Sequence, residues 1–163
     1  MSRMPAETDG TVRPLTSDDV DRVIAIDRVH SGHSRRSFFE KRFAAAKVHP
    51  DDFIDICVVR GNWVCGFATA RILRGEFGQE NAVAVLDGLG VQVESRERGF
   101  GQALMTELTL SMRRMGIRLL QSQAVWTNHD LLRFFASAGF ELAPRHALQR
   151  AVMEPMNEQS EDV

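Results

Sequence analysis

The chain holds 163 residues, 44% apolar and 26% charged, with a formal net charge of −2: enough for one domain with a substantial core, and too balanced for a global pull toward nucleic acid or a membrane surface. No apolar run approaches the ~20 residues that span a bilayer, and "MSRMPAETDG" lacks the apolar centre of a secretory leader. Cys57 and Cys65 are its only cysteines, which suits a reducing cytoplasm and fits no zinc spacing.

Residues 1–10 read as a flexible tail and 11–153 as one domain. Residues 154–163, with four acids and no base, read as a disordered acidic tail. Within the domain, "TVRPL" (11–15) predicts a short strand. Ser17 is expected to cap a helix carrying Val20, Val23, Ile24 and Ile26. "RRSFFEKRFAAAKV" (35–48) predicts a second helix, with Phe38, Phe39 and Phe43 on one side. "FIDICVVR" (53–60) and "WVCGFATARIL" (63–73) predict a hairpin across Gly61-Asn62. After the turn-rich "RGEFGQEN" (74–81), "AVAVLDGLGVQV" (82–93) predicts a long strand. A helix follows, with Leu104, Leu108, Met112 and Met115 at helical spacing, and closes at Gly116. "IRLLQSQAVW" (117–126) predicts a strand, "NHDLLRFFASAG" (128–139) a helix, and "FELA" with "HALQRAVM" two final strands. The order β-α-α-β-β-β-α-β-α-β-β joins hairpins to one β-α-β crossover. The expected fold is therefore α/β (α+β), a mixed sheet with helices on both faces.

The stretch "VESRERGFGQALM" (93–105) places Gly99 and Gly101 at a helix start, where glycine costs roughly 1 kcal/mol against alanine. The first N–H groups of a helix have no partner within it, and the helix dipole makes that end positive. Bare glycines let a bulky anion reach those groups, and Arg96 and Arg98 add charge nearby. The stretch is neither a Walker loop nor a dinucleotide fingerprint, since Gly-Lys-Ser/Thr is missing and Arg96 stands at the first glycine position. The same glycines also suit a helix start chosen for packing.

"R-E-R-G-F-G" (96–101), after a strand ending Leu89-Gly90-Val91, resembles the acetyl-CoA signature Gln/Arg-x-x-Gly-x-Gly/Ala of the GCN5-related N-acetyltransferases. Asn128, Leu131, Phe135, Gly139 and Phe140 fall where that family has Asn, a small or apolar residue, Tyr and a closing Gly-Phe. The resemblance covers about residues 11–153 and is most specific over 86–140. It implies a mostly antiparallel central sheet splayed between its fourth and fifth strands, with acetyl-CoA as co-substrate in the gap. Backbone of Leu89, Gly90 and Val91 would bind the pantetheine arm. Arg96, Arg98, Gly99, Gly101, Gln102 and Ala103 would hold the pyrophosphate, Asn128 would reach the arm, Phe134 would pack beside it, and Arg133 would approach an outer phosphate. The implied function is acetyl transfer to a primary amine of a small molecule or protein, and a homodimer is implied by analogy. No metal, nucleic-acid or membrane partner is expected, and the expected location is the cytoplasm. A non-catalytic acyl-CoA-binding or interaction module is the alternative.

Phe135 stands where many relatives place a tyrosine that protonates the departing thiolate, and the chain has no tyrosine at all. A phenyl ring donates no proton. Water, a thiol or another side chain must serve, or the thiolate leaves unprotonated, as a thiol pKa near 8.5 permits. Asp87 is the first candidate for the base that relieves the amine of its proton: it lies four residues before Val91, on the same side by two-residue alternation, and some relatives carry a glutamate there. Glu76 and Glu80 are the alternatives, although solvated turn acids is their plainer reading.

The resemblance implies that acceptor choice falls to the first two helices and the late loops. From Arg22 to Lys47 there are seven Lys/Arg against Asp27 and Glu40, and Ser31-Gly32 breaks the helix. His33, Arg35 and Arg36 are expected either as clamps for an acidic group on the acceptor or partner, or as a solvated basic face. His30 and His33 have no suitably spaced third metal ligand. Trp126 suits acceptor or core equally.

Overall fold

A computed structural model describes residues 9–153; the acidic segment from Glu154 and residues 1–8 of the leading tail lie outside the described residues. Among the described residues five strands form one sheet in chain order: β1 (Thr11–Pro14), β2 (Phe53–Arg60), β3 (Trp63–Leu73), β4 (Val83–Val91) and β5 (Leu120–Ser122). Neighbours are antiparallel except β4 and β5, which run parallel. The parallel pair needs a crossover, and it is supplied by helix α3 (Phe100–Arg114). Two helices, α1 (Val20–Ser31) and α2 (Arg36–Val48), precede β2, and α4 (His129–Ser137) follows β5.

Strand alternation sorts the core into two layers. Ile54, Ile56, Val58, Ala68, Ala70 and Leu86 meet α3 through Phe100, Leu104, Leu108 and Met112, with Phe135 of α4 alongside. On the other face Cys57, Val59, Val64 and Phe67 meet Val23 and Ile24 of α1 and Phe39 and Phe43 of α2. Cys65 belongs to the first layer and Cys57 to the second, so the two free thiols sit on opposite faces of the sheet. No helix among the described residues is long and apolar enough to cross a membrane.

Three local expectations need correction. The turn before α1 is capped at Thr16 rather than Ser17: the Asp19 carboxylate accepts the Thr16 N–H at 2.8 Å and is itself gripped by both Arg13 nitrogens. The strand expected over 117–126 pairs only at Leu120–Ser122. The two final strands are absent among the described residues. A three-residue β5 offers too short a ladder for "HALQRAVM" to join, and Leu148 and Val152 stay exposed despite their alternation.

Candidate active site

The gap beside β4 starts where its pairing changes. Ala84, Val85 and Leu86 pair with Leu120, Gln121 and Ser122, and the Ser122 hydroxyl donates to the Leu86 carbonyl at 2.9 Å. Beyond Leu86 no β5 residue accompanies β4. On its other side Thr69 opposes Gly88 while Ala70 opposes Leu86, so Asp87 is the extra residue of a bulge. A bulge bends its strand and increases local twist, and the pairing of β4 with β5 ends at that point. The Gln92 N–H donates to the Cys65 carbonyl of β3 at 2.8 Å. By alternation Gly90 faces β3 as well. While the Val91 carbonyl is taken by His30, the N–H and C=O of Leu89 and the N–H of Val91 turn into the gap. These are the groups expected to receive an extended arm.

The bulge also overturns the expectation that Asp87 shares a side with Val91. Leu89 and Val91 pack toward the α3 layer. Gly88 and Gly90 face the other way: an added Cβ on Gly90 would meet Phe67, Ile26 and His30. Asp87 joins that second face, where its carboxylate accepts from the Thr69 hydroxyl at 3.0 Å and forms an ion pair with Arg42. One extra residue shifts the two-residue period by one step.

Arg42 lies on α2 with its side chain only 4% exposed, and its second nitrogen reaches Asp55 of β2 at 3.4 Å. Its guanidinium rests 4.7 Å from the Phe53 ring centre and 5.6 Å from that of Phe38. Burial lowers the Arg42 pKa and pushes the Asp55 carboxyl up to about 6, although Arg42 pulls the latter down.

At the mouth of α3, Glu97 (φ 66) and Gly99 (φ 78) are left-handed, a conformation that glycine adopts without penalty. The Ala103 N–H already donates to the Gly99 carbonyl at 3.0 Å, so Ala103 does not belong with the anion-binding amides. Phe100, Gly101 and Gln102 have no helical acceptor upstream and remain for that role. The Phe100 ring is anchored in the core, while Arg96, Arg98 and Gln102 are exposed. An added Cβ on Gly101 would come within 2.8 Å of the Phe134 ring. This glycine thus has a packing reason, letting α4 close on α3, beside any role toward a ligand. A free amide cradle next to a half-paired strand fits the diphosphate and arm of a coenzyme A thioester.

Other expected residues are engaged elsewhere. The Asn128 side chain caps α4, accepting the Leu131 N–H at 3.2 Å, and Arg133 pairs with Asp130. Arg35 grips buried Asp27 with two nitrogens, and Arg36 bridges Asp21 and Glu40. His33 turns back to the Ser31 carbonyl at 3.0 Å. Glu76 and Glu80 are exposed on the β3–β4 connection, and Trp126 is exposed after β5. Among the described residues no group of three or more His, Cys, Asp or Glu is placed to hold a metal.

Sequence reasoning missed His30, Arg42 and Asp55 as parts of the site. The His30 Nε2 donates to the Val91 carbonyl at 2.7 Å, leaving Nδ1 to accept from Arg96 at 3.2 Å. One ring thereby joins α1, the end of β4 and the loop before α3. Its only sequence signal was a histidine in the last turn of a helix.

Residues 22–140 match the model of the Acetyltransferase (GNAT) family. No match is found among curated proteins. Several solved structures share the fold. A transcriptional regulator from Bacillus halodurans C-125 aligns with TM-score 0.74 at 19% identity, covering 87% of this chain and 99% of its own. AAC(6')-Iy in complex with the bisubstrate analog CoA-S-monomethyl-acetylneamine aligns with TM-score 0.73 at 18% identity, covering 87% and 97%. The aminoglycoside 6'-N-acetyltransferase AAC(6')-Ih from Acinetobacter baumannii aligns with TM-score 0.73 at 15% identity, covering 89% and 99%.

Proposed function

The chain belongs to the GNAT acetyltransferase family, and from that premise we propose that it transfers an acetyl group from acetyl-CoA to a primary amine of a small molecule or protein. The observation that carries this reading is the half-paired β4: the backbone of Leu89 and the Val91 N–H have no partner on β5 and face a gap that opens beside a charged carboxylate, Asp87. Acetyl-CoA, when bound, supplies the thioester that the amine attacks. The N–H groups of Phe100, Gly101 and Gln102, with Arg96 and Arg98 nearby, hold its diphosphate. The backbone of Leu89 and the Val91 N–H hold the arm as a strand would.

Asp87 serves the amine. An ammonium with pKa near 10.4 must lose its proton before it attacks, and Asp87 both attracts the cation and accepts that proton, directly or through water. Its ion pair and the Thr69 hydrogen bond favour the charged carboxylate. Glu76 and Glu80, exposed on the connection before β4, are the alternatives. Arg35 already neutralises Asp27 of α1, and Arg36 neutralises Asp21 of α1 and Glu40 of α2, which weakens their reading as clamps for an acidic acceptor.

AAC(6')-Ih, among the similar structures, is an aminoglycoside 6'-N-acetyltransferase, so aminoglycosides head the panel of amines to try. The test is thiol release from acetyl-CoA across aminoglycosides, polyamines and lysine peptides. Amine-dependent release is expected. Tight CoA binding with no release from any amine would favour the non-catalytic acyl-CoA-binding module instead.

A further inference from the structure

We infer that Arg42 and Asp55 are positioning residues for Asp87: one buried guanidinium, shared between carboxylates on β2 and β4, fixes Asp87 at the strand gap and governs its basicity. The inference rests on the proposed role of Asp87. Three charged side chains meet away from water, with exposures of 4% for Arg42, 8% for Asp55 and 18% for Asp87. The groups that face them are the fully buried Thr69 and the exposed Arg71 on β3, and the rings of Phe38 and Phe53.

A brace between α2 and the sheet needs one carboxylate for one guanidinium. Replacing even that pair with apolar side chains is often neutral or stabilising. A second buried carboxylate adds desolvation without a second full partner, and the upward push on Asp55 is the mark of that cost. Stability therefore does not account for the trio, whereas electrical control of Asp87 does. Ionised Asp55 draws on the same guanidinium and repels Asp87. Both effects strengthen Asp87's hold on a proton, as a base serving an ammonium requires. Once Asp55 is neutral, Arg42 turns wholly to Asp87, which then becomes a weaker base.

The experiment titrates the full chain with 13C-labelled aspartate carboxyls by NMR, with resonances assigned from Asp87→Asn and Asp55→Asn. Removing the Asp55 charge should lower the Asp87 midpoint by about one pH unit, and Arg42→Gln should raise it by a similar amount. Arg42→Lys, which keeps the charge but not the fork, should raise it less. In amine-dependent turnover, Asp55→Asn should move the acid limb of the kcat profile to lower pH and leave the KM for acetyl-CoA unchanged. An Asp87 midpoint that is the same in wild type, Asp55→Asn and Arg42→Lys would overturn the inference. The titration needs no acceptor, so a wild type without turnover would sink the catalytic reading of Asp87 separately from its coupling to Asp55.

Discussion

Two regions meet at β4, and they are built from different materials. The mouth of α3 is a backbone site: three N–H groups without helical partners, a left-handed Gly99, and arginines that stay in water. The cluster behind the bulge is a side-chain site, in which Arg42, Asp55, Thr69 and Asp87 come from four elements and are largely removed from solvent. A backbone site tolerates changes in its exposed charges and fails when its main chain is covered. A buried charge site fails when its shared member, Arg42, is removed, because the two carboxylates are then left unpaired.

The largest effect expected from that contrast is chemical. Asp87→Asn keeps the shape and hydrogen-bonding of the side chain but cannot take a proton. It should lower kcat by about 10²–10⁴-fold, while calorimetry shows CoA affinity within about twofold of wild type. A loss of affinity as large as the loss of turnover would merge the two regions into one.

Next in size is the pH dependence of stability. The folded chain holds the Asp55 proton more tightly than the unfolded chain, since its pKa is about 6 against 3.8. Asp55 therefore contributes stability that is fully present below the unfolded value and lost as pH rises through about 6. The loss amounts to about 3 kcal/mol at most, because each pH unit between the folded and unfolded values is worth about 1.4 kcal/mol. Urea unfolding between pH 4 and 7.5 should show this decline in wild type and a flatter profile in Asp55→Asn. Parallel profiles would mean that Asp55 is not desolvated as its burial implies.

The α3 mouth carries the third prediction. A Cβ at Gly101 meets the Phe134 ring before it meets a ligand, and overpacking of that kind costs about 1–3 kcal/mol. Gly101→Ala should weaken CoA binding by about tenfold and recover in a Phe134→Leu background. Gly101→Val should not recover, because its branched methyls cover the amides themselves. Equal recovery of both would place the whole effect in α4 packing and remove Gly101 from the binding surface.

The two regions also differ in how far the sequence exposed them. Gly99 and Gly101 sit two residues apart at the start of α3, and its apolar spacing follows at once, so local physics marks the place. The strands β1 to β5 and the helices α1 to α4 were legible for the same reason, through alternation and helical spacing. Arg42, Asp55, Thr69 and Asp87 carry no common local signal; sheet register and the packing of α2 bring them together. The bulge was hidden as well, and it moved Asp87 to the face opposite the one that alternation assigns. "HALQRAVM" failed in the reverse sense. Its alternation is a property of the segment, whereas a strand requires a partner, and β5 is too short to be one.

The smallest effect is expected at Phe135, where the family resemblance would place a tyrosine. Its ring is 8% exposed and lies in the α3 layer, 4.7 Å from the Phe140 ring centre and 6.0 Å from that of Phe134. A hydroxyl added there would sit among apolar neighbours, at a cost of about 1–3 kcal/mol if it found no partner. The departing thiolate has little need of it: with a thiol pKa near 8.5, it leaves close to neutral pH with only a small driving force for protonation. Phe135→Tyr should therefore lower the melting temperature and change amine-dependent turnover by less than about threefold. A tenfold gain would show the opposite, that this ring faces the thioester when CoA is bound and that the wild-type leaving group lacked a proton donor. The backbone mouth would then hold the coenzyme competently while the side-chain half of the site fell one proton short.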